Sequence, residues 1–152
     1  ANIVFNIAKG RVAELYDRVK SNDPANSAII LIPIETSGLE ADSVLIDADT
    51  VAAVLAGATN EQSTMGRKTL TDSDLASIPA PDDTNDRNER SLPTTTWTAA
   101  SGNAISKILV AYDSDTTGGT DSNLIPLTMF DFAQTPSGAD VQMTTGVFFR
   151  AS

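Results

Sequence analysis

Two aspartates raise the question of chemistry first. The stretch SVLIDADTVAAVLAG, residues 43–57, runs four residues suited to the end of a strand into Asp47-Ala48-Asp49-Thr50, and an apolar helical pattern follows. Two carboxylates two residues apart at a strand end can share phosphoryl transfer. Asp47 would attack phosphorus and Asp49 would move the proton. Such chemistry also needs a hydroxyl and a lysine to hold the phosphate, and a further acidic pair to hold Mg²⁺. Asp82-Asp83 is the available pair, but it lies in a proline-bracketed segment instead of after a hydrophobic strand. The competing reading makes Asp47 a helix N-cap and Asp49 a first-turn carboxylate favoured by the helix dipole. The cap is the preferred reading.

The Asp-x-Asp-Thr layout is that of the first motif of haloacid-dehalogenase-like phosphatases. Their fold alternates strands and helices, and that alternation is missing after residue 93. A metal-dependent phosphohydrolase using Asp47 and Asp49 is therefore the last of the alternatives. Other catalytic options are closed by composition. The chain has no cysteine and no histidine, which removes disulfides, thiol nucleophiles, imidazole bases and nearly every zinc, copper or haem site. No serine sits in a nucleophile elbow and no glycine-rich phosphate loop is present. Residues 113–123, DSDTTGGTDSN, offer Asp113, Asp115, Asp121 and Asn123 around two glycines. Gly118 stands at the sixth position of a calcium loop, but Leu124 stands where the twelfth-position Glu is needed. A solvated hairpin loop is the simpler reading. The chain is read as a non-enzyme with no cofactor and no metal site.

The 152 residues suffice for one domain with a real core. A formal charge of −10 and a pI near 4.2 oppose contact with phosphate backbones or anionic lipid heads. The one tight basic cluster, Arg67-Lys68, is too small for a nucleic-acid footprint. The longest apolar run, AIILIPI, falls far short of the roughly 20 residues a membrane helix needs. Neither nucleic acid nor membrane is expected as a partner. Ala1 fits a chain whose initiator Met was trimmed, made in a cytoplasm with no sign of export.

Along the chain, Ile3, Phe5 and Ile7 alternate with Asn2 and Asn6 and predict a short half-buried strand. Val12, Leu15, Tyr16 and Val19 fall on one helical face, with Glu14 and Arg18 at i, i+4, and Asn22 and Pro24 end the helix. Residues 27–34 read as a buried strand whose Pro33 marks an edge or exit. A short helix with Val51, Val54 and Leu55 inward would end at Gly57 as C′. Thr71 and Asp74 resemble a capping box opening one or two turns. Residues 79–93 read as a long exposed loop or arm. After it the pattern turns to strands, with turns at Ser101-Gly102-Asn103, Thr117-Gly118-Gly119 and Pro136-Ser137-Gly138. In that part Ile108, Val110 and Tyr112 face away from Ser106 and Lys107, and Trp97, Phe130, Phe132, Phe148 and Phe149 are assigned to core or subunit contact. The expected fold is a single α+β domain. Short helices lie in a mixed part of about 1–78, followed by the loop 79–93 and a mainly antiparallel, sandwich-like β part of about 94–152.

The segments NIAKGRVAELYDRV, TMGRKTLTD, PAPDDTNDR, WTAASGNAISKILVAYDSDTTGGTDSNLIPLTMFDF and GVFFRAS resemble small virion proteins of tailed bacteriophages encoded among the head genes. The resemblance covers most of the chain and lies in overall sequence style. It implies a structural role, most often a head decoration or cement protein on the capsid exterior, with the major capsid protein as partner and copies that self-associate. The alternative is a tail- or fibre-associated binding module. The resemblance transfers no functional residue. The extended ends and the charged loop are the parts suited to reach a partner. That makes Asn2, Ile3, Phe5, Asp82, Asp83, Asp86, Arg87 and Arg90 the candidate binding residues.

Overall fold

The computed structural model describes all 152 residues, Ala1–Ser152. The expected α+β class, with a mainly antiparallel, sandwich-like C-terminal half, is what the chain forms. Its centre is a five-stranded antiparallel sheet in the order β1-β7-β6-β2-β3, built from β1 (Ile3–Val4), β2 (Ala28–Glu35), β3 (Lys68–Leu70), β6 (Ile105–Asp113) and β7 (Ile125–Gln134). Two antiparallel pairs accompany it: β4 (Asn88–Leu92) with β9 (Gly146–Ala151), and β5 (Thr95–Trp97) with β8 (Val141–Met143). The central sheet draws strands from both ends of the chain. One cluster of 31 buried residues runs from Phe5 to Met143, so the two halves share a single core.

Residues 28–34 of β2 are buried in succession, the signature of a strand covered on both faces. β2 pairs with β6 from Ala28↔Asp113 to Glu35↔Ile105, and with β3 only at Ile29, Ile30 and Leu31. Pro33 therefore lies beyond the end of β3. Its carbonyl accepts from the Gln62 amide at 2.9 Å, on the side away from β6, so its missing N–H costs the sheet no ladder bond. The strand continues past the predicted exit to Glu35. A second proline, Pro126, stands opposite Ala111 where the β6–β7 register shifts, again where a ladder donor is lacking.

α1 (Val12–Lys20) buries the four predicted residues, with Glu14 in its first turn and Arg18 and Lys20 in its last, as the helix dipole favours. The Glu14–Arg18 pair closes at 3.1 Å, and Asn22 turns the chain out with φ 51°. Trp97 is buried, donates from Nε1 to the Gly66 carbonyl at 2.9 Å, and has the Lys68 ammonium 6.0 Å from its ring centre.

Several local expectations are corrected. The N-terminal strand stops at Val4, and Asn6–Ala8 forms a 3-10 turn that drives Phe5 fully into the core. α2 (Asp42–Leu45) is helical where the residues before Asp47 were expected to end a strand. α3 (Val51–Val54) is capped by Thr50, whose Oγ1 accepts from the Ala53 amide at 3.1 Å, so Asp47 and Asp49 stand before the cap. That helix ends before Gly57; a side chain at Gly57 would strike the Glu40 carboxylate. The Thr71 amide and hydroxyl both donate to the Asp74 carboxylate, but the Asp74 amide donates to the Thr71 carbonyl instead of its hydroxyl, so the capping box is half made and only a turn follows. Within residues 79–93, Asn88–Leu92 is strand β4 paired with β9, so the exposed loop shrinks to the residues before it.

Candidate partner-binding surface

β4 and β9 form a two-stranded ribbon, and its two edges differ. On the outer side of β4, the Tyr16 hydroxyl donates to the Ser91 carbonyl at 2.9 Å. Arg90 grips Asp17 of α1 through Nε and Nη2, both at 2.7 Å. The Arg90 side chain is 4% exposed and Asp17 is its counter-charge. β9 has backbone partners only on β4; no backbone hydrogen bond reaches its other side. That free edge carries Val147, 47% exposed, with Phe148 and Phe149 half-buried and Arg150 tied to Glu89. Phe148 leans on Tyr16 with ring centres 5.9 Å apart.

Beside the start of β9 lies a hollow of about 160 Å³, lined among others by Leu92, Phe130, Met143, Val147 and Phe148, with Asn2 and Asp131 at its polar side. It is smaller than the roughly 300–1,000 Å³ of small-molecule sites and suits a side chain or two. Asn2 is held there because its Oδ1 accepts from the Asp131 amide at 3.0 Å. Lys107 lies behind, buried, contrary to its expected outward place. Its ammonium donates to the Ala1 carbonyl at 2.7 Å and to Asp131 at 2.8 Å, and meets Asp42 at 3.1 Å. Burial pulls the Lys107 ammonium down, and the bonds to Asp131 and Asp42 more than offset it, leaving its pKa raised. The bond from Lys107 likewise holds Asp131 below the usual carboxylate range.

At the far end of β9 the turn before β4 gathers Asp82, Asp83, Asp86 and Arg87 beside Ala151 and Ser152. Asp82 accepts from the Asn85 side chain and pairs with Arg87 at 3.1 Å; the Asn85 bond is the main reason its pKa is lowered. Asp83 and Asp86 are exposed and in no ion pair.

The eight residues singled out from the sequence thus separate. Asn2 falls at one end of β9 and Asp82, Asp83, Asp86 and Arg87 at the other, which the sequence alone does not show. Ile3 is half-buried as part of β1. Phe5 and Arg90 leave the candidate surface, one in the core and the other clamped to α1. The segment 2–7, expected to reach outward, is instead stitched to β7 by the Ile3↔Met129 pairing and the Phe5 amide on the Leu127 carbonyl at 3.0 Å. Val147, Phe148 and Phe149, absent from the candidate binding set, form the open edge. Their signal was an apolar run, GVFFRA, with one charge.

Asp47, Asp115 and Asp121 are engaged within the chain. Asp47 accepts from the Asn6 side chain, and helix α2 instead of a strand precedes it, so the strand-end layout of the phosphatase motif is not formed. In the loop joining β6 to β7, Asp115 binds the Thr117 amide and hydroxyl, and the hydroxyl bond chiefly lowers its pKa. Asp121 faces Arg67 at 2.7 and 3.0 Å, and Glu61 holds the same guanidinium at 2.7 and 2.5 Å. The Arg67 bonds depress the Asp121 pKa. No helix is long and apolar enough to cross a membrane. No protein-family model matches the chain, and no curated protein or solved structure matches it either.

Proposed function

We propose that this chain is a non-enzymatic virion structural protein of a tailed phage, a decoration or cement protein that binds the outside of the capsid and stabilises the mature head. The observation that carries the reading is the open apolar edge of the β4–β9 ribbon on an otherwise strongly acidic molecule, taken together with the sequence resemblance to head-gene products. An apolar strand with one unpaired edge and an exposed Val147 is suited to a partner. The absence of a basic face suits the outer capsid surface better than the DNA-filled interior. The major capsid protein is the proposed partner, and copies become neighbours on the lattice. Each contact can be weak, because many copies add by avidity. Binding only the assembled form stabilises it by mass action.

The test is to heat purified heads with and without the protein and follow DNA release. Release at a higher temperature in decorated heads is the expected result. Equal release, or the chain missing from heads and present on tails, replaces this reading with a tail- or fibre-associated module.

A further inference from the structure

We infer that the hollow beside Asp113 is a binding site for a small primary alkylammonium ion. The inference goes beyond the head reading and does not depend on it. It starts from an imbalance of charge. Three charged side chains are buried in this fold: Arg90, Lys107 and Asp113. Arg90 is paired with Asp17, and Lys107 with Asp42 and Asp131. Asp113, 9% exposed, is in no ion pair. Its Oδ1 accepts the Asp115 amide at 3.0 Å, and Oδ2 has no donor within the chain. A buried carboxylate without a counter-charge is costly, and one that opens on a hollow can recover that cost from a cation that enters.

Asp113 ends β6, opposite Ala28 of β2. It lines a hollow of about 260 Å³ framed by β2, β3 and the loop that joins β6 to β7. The buried Ile30 and Leu124 give the hollow an apolar floor, and the exposed Thr69 and Thr116 add hydroxyls at its rim. The volume lies below that of drug-sized sites and suits a ligand of a few heavy atoms.

The charges select the ligand. Arg67 and Asp121 also line the hollow, but the guanidinium is held by Asp121 and Glu61 together, so with Asp113 three carboxylates stand against one cation. An anion is opposed there. The neighbouring Lys68 does not supply the missing charge, since its ammonium lies over the Trp97 ring. Calcium takes about 6–8 oxygen ligands, and with Asp121 spent on Arg67 the hollow offers one free carboxylate. Asp115, in the adjoining hollow, is exposed and bound to Thr117. An ammonium needs one carboxylate and a few acceptors, and a short alkyl stem covers Ile30 and Leu124.

The test titrates the isotope-labelled full chain with butylammonium chloride, with butanol as the uncharged stem and calcium chloride as the metal. Butylammonium is expected to give saturable shifts of the Asp113–Thr120 and Leu124 amide signals at millimolar concentration, and butanol to bind about tenfold more weakly. Asp113→Asn keeps an oxygen for the Asp115 amide and removes the charge. It should weaken butylammonium binding about tenfold and hold or raise the melting temperature, because an unpaired buried charge is gone. Thr69→Lys, on the exposed rim, tethers a competing ammonium beside Asp113 and should also weaken binding; it is the second variant should the first fail to fold. No saturable shift with butylammonium, equal shifts with butanol, or binding unchanged in the variants overturns the inference. So does a saturable calcium response at these amides with none from butylammonium, which would make the loop a metal site. The outcome is independent of whether the chain is found on heads.

Discussion

β2 and β9 are both written almost wholly in apolar residues, AIILIPIE and GVFFRA, yet β2 disappears into the core while β9 leaves Val147 47% exposed and one edge unpaired. Hydropathy does not separate them; their neighbours do. β2 is flanked by β6 along its whole length and by β3 over three residues, and Gln62 caps what β3 leaves open. β9 has β4 alone. An apolar strand with a partner on each side is core, and the same kind of strand with one partner keeps an open edge.

The largest effect should come from the covered strand. Ile32→Ala empties a fully buried site on β2, opposite Leu109 of β6, and should cost about 3–4 kcal/mol of unfolding free energy. Val147→Ala should change stability by less than about 0.5 kcal/mol, because its side chain is already half in water. Urea denaturation of the two variants side by side measures the contrast; equal losses would abolish it.

A second experiment asks what holds the ribbon on. Asp17→Ala leaves the buried Arg90 guanidinium without its counter-charge. The expected loss is about 2–3 kcal/mol, less than for a fully buried pair because Asp17 is 30% exposed. Amide exchange should rise first in β4 and β9, ahead of β2 and β6, if the clamp is local. A uniform rise across all strands would show the ribbon and the sheet opening as one unit.

The smallest effect concerns acid. The Asp121 carboxyl, bonded by Arg67, is depressed in the folded chain below its ordinary value of 3.8. The unfolded state therefore takes up its proton first as pH falls. The stabilisation is complete above that ordinary value and is lost as pH drops through the lower folded one. Asp131, bonded by Lys107, acts in the same direction. Thermal melts between neutral pH and about pH 2 should fall steeply only on the acid side, and Asp121→Asn should flatten that limb. An unchanged limb would show that Arg67 does not hold Asp121 in solution.

Much of the fold was legible locally. The α1 face, the buried run 27–34, the glycine turns and the all-β character after residue 93 follow from periodicity and turn chemistry, which act over a few residues. Gly102 illustrates this. The predicted turn requires its φ of 105°, and the Gln62 side chain packs where a Cβ would stand. Helix starts were less legible. Asp47 and Thr50 are both good caps, and only the observed bond to Ala53 shows that Thr50 is the one used. The strand inside the charged segment was hidden because NERSL reads as polar loop until GVFFRA lies beside it.

The sequence by itself determined the α+β class, the helical face, the acidic surface and the residue types open to chemistry, since these depend on composition and short-range spacing. Tertiary structure decided which apolar strand is core and which is edge, which carboxylates are spent on Arg67, Arg90 and Lys107, and that Asn2 and Asp82 lie at opposite ends of one strand. Those outcomes depend on pairings between residues as far apart as Ile3 and Met129 or Asp17 and Arg90, and no local pattern encodes them.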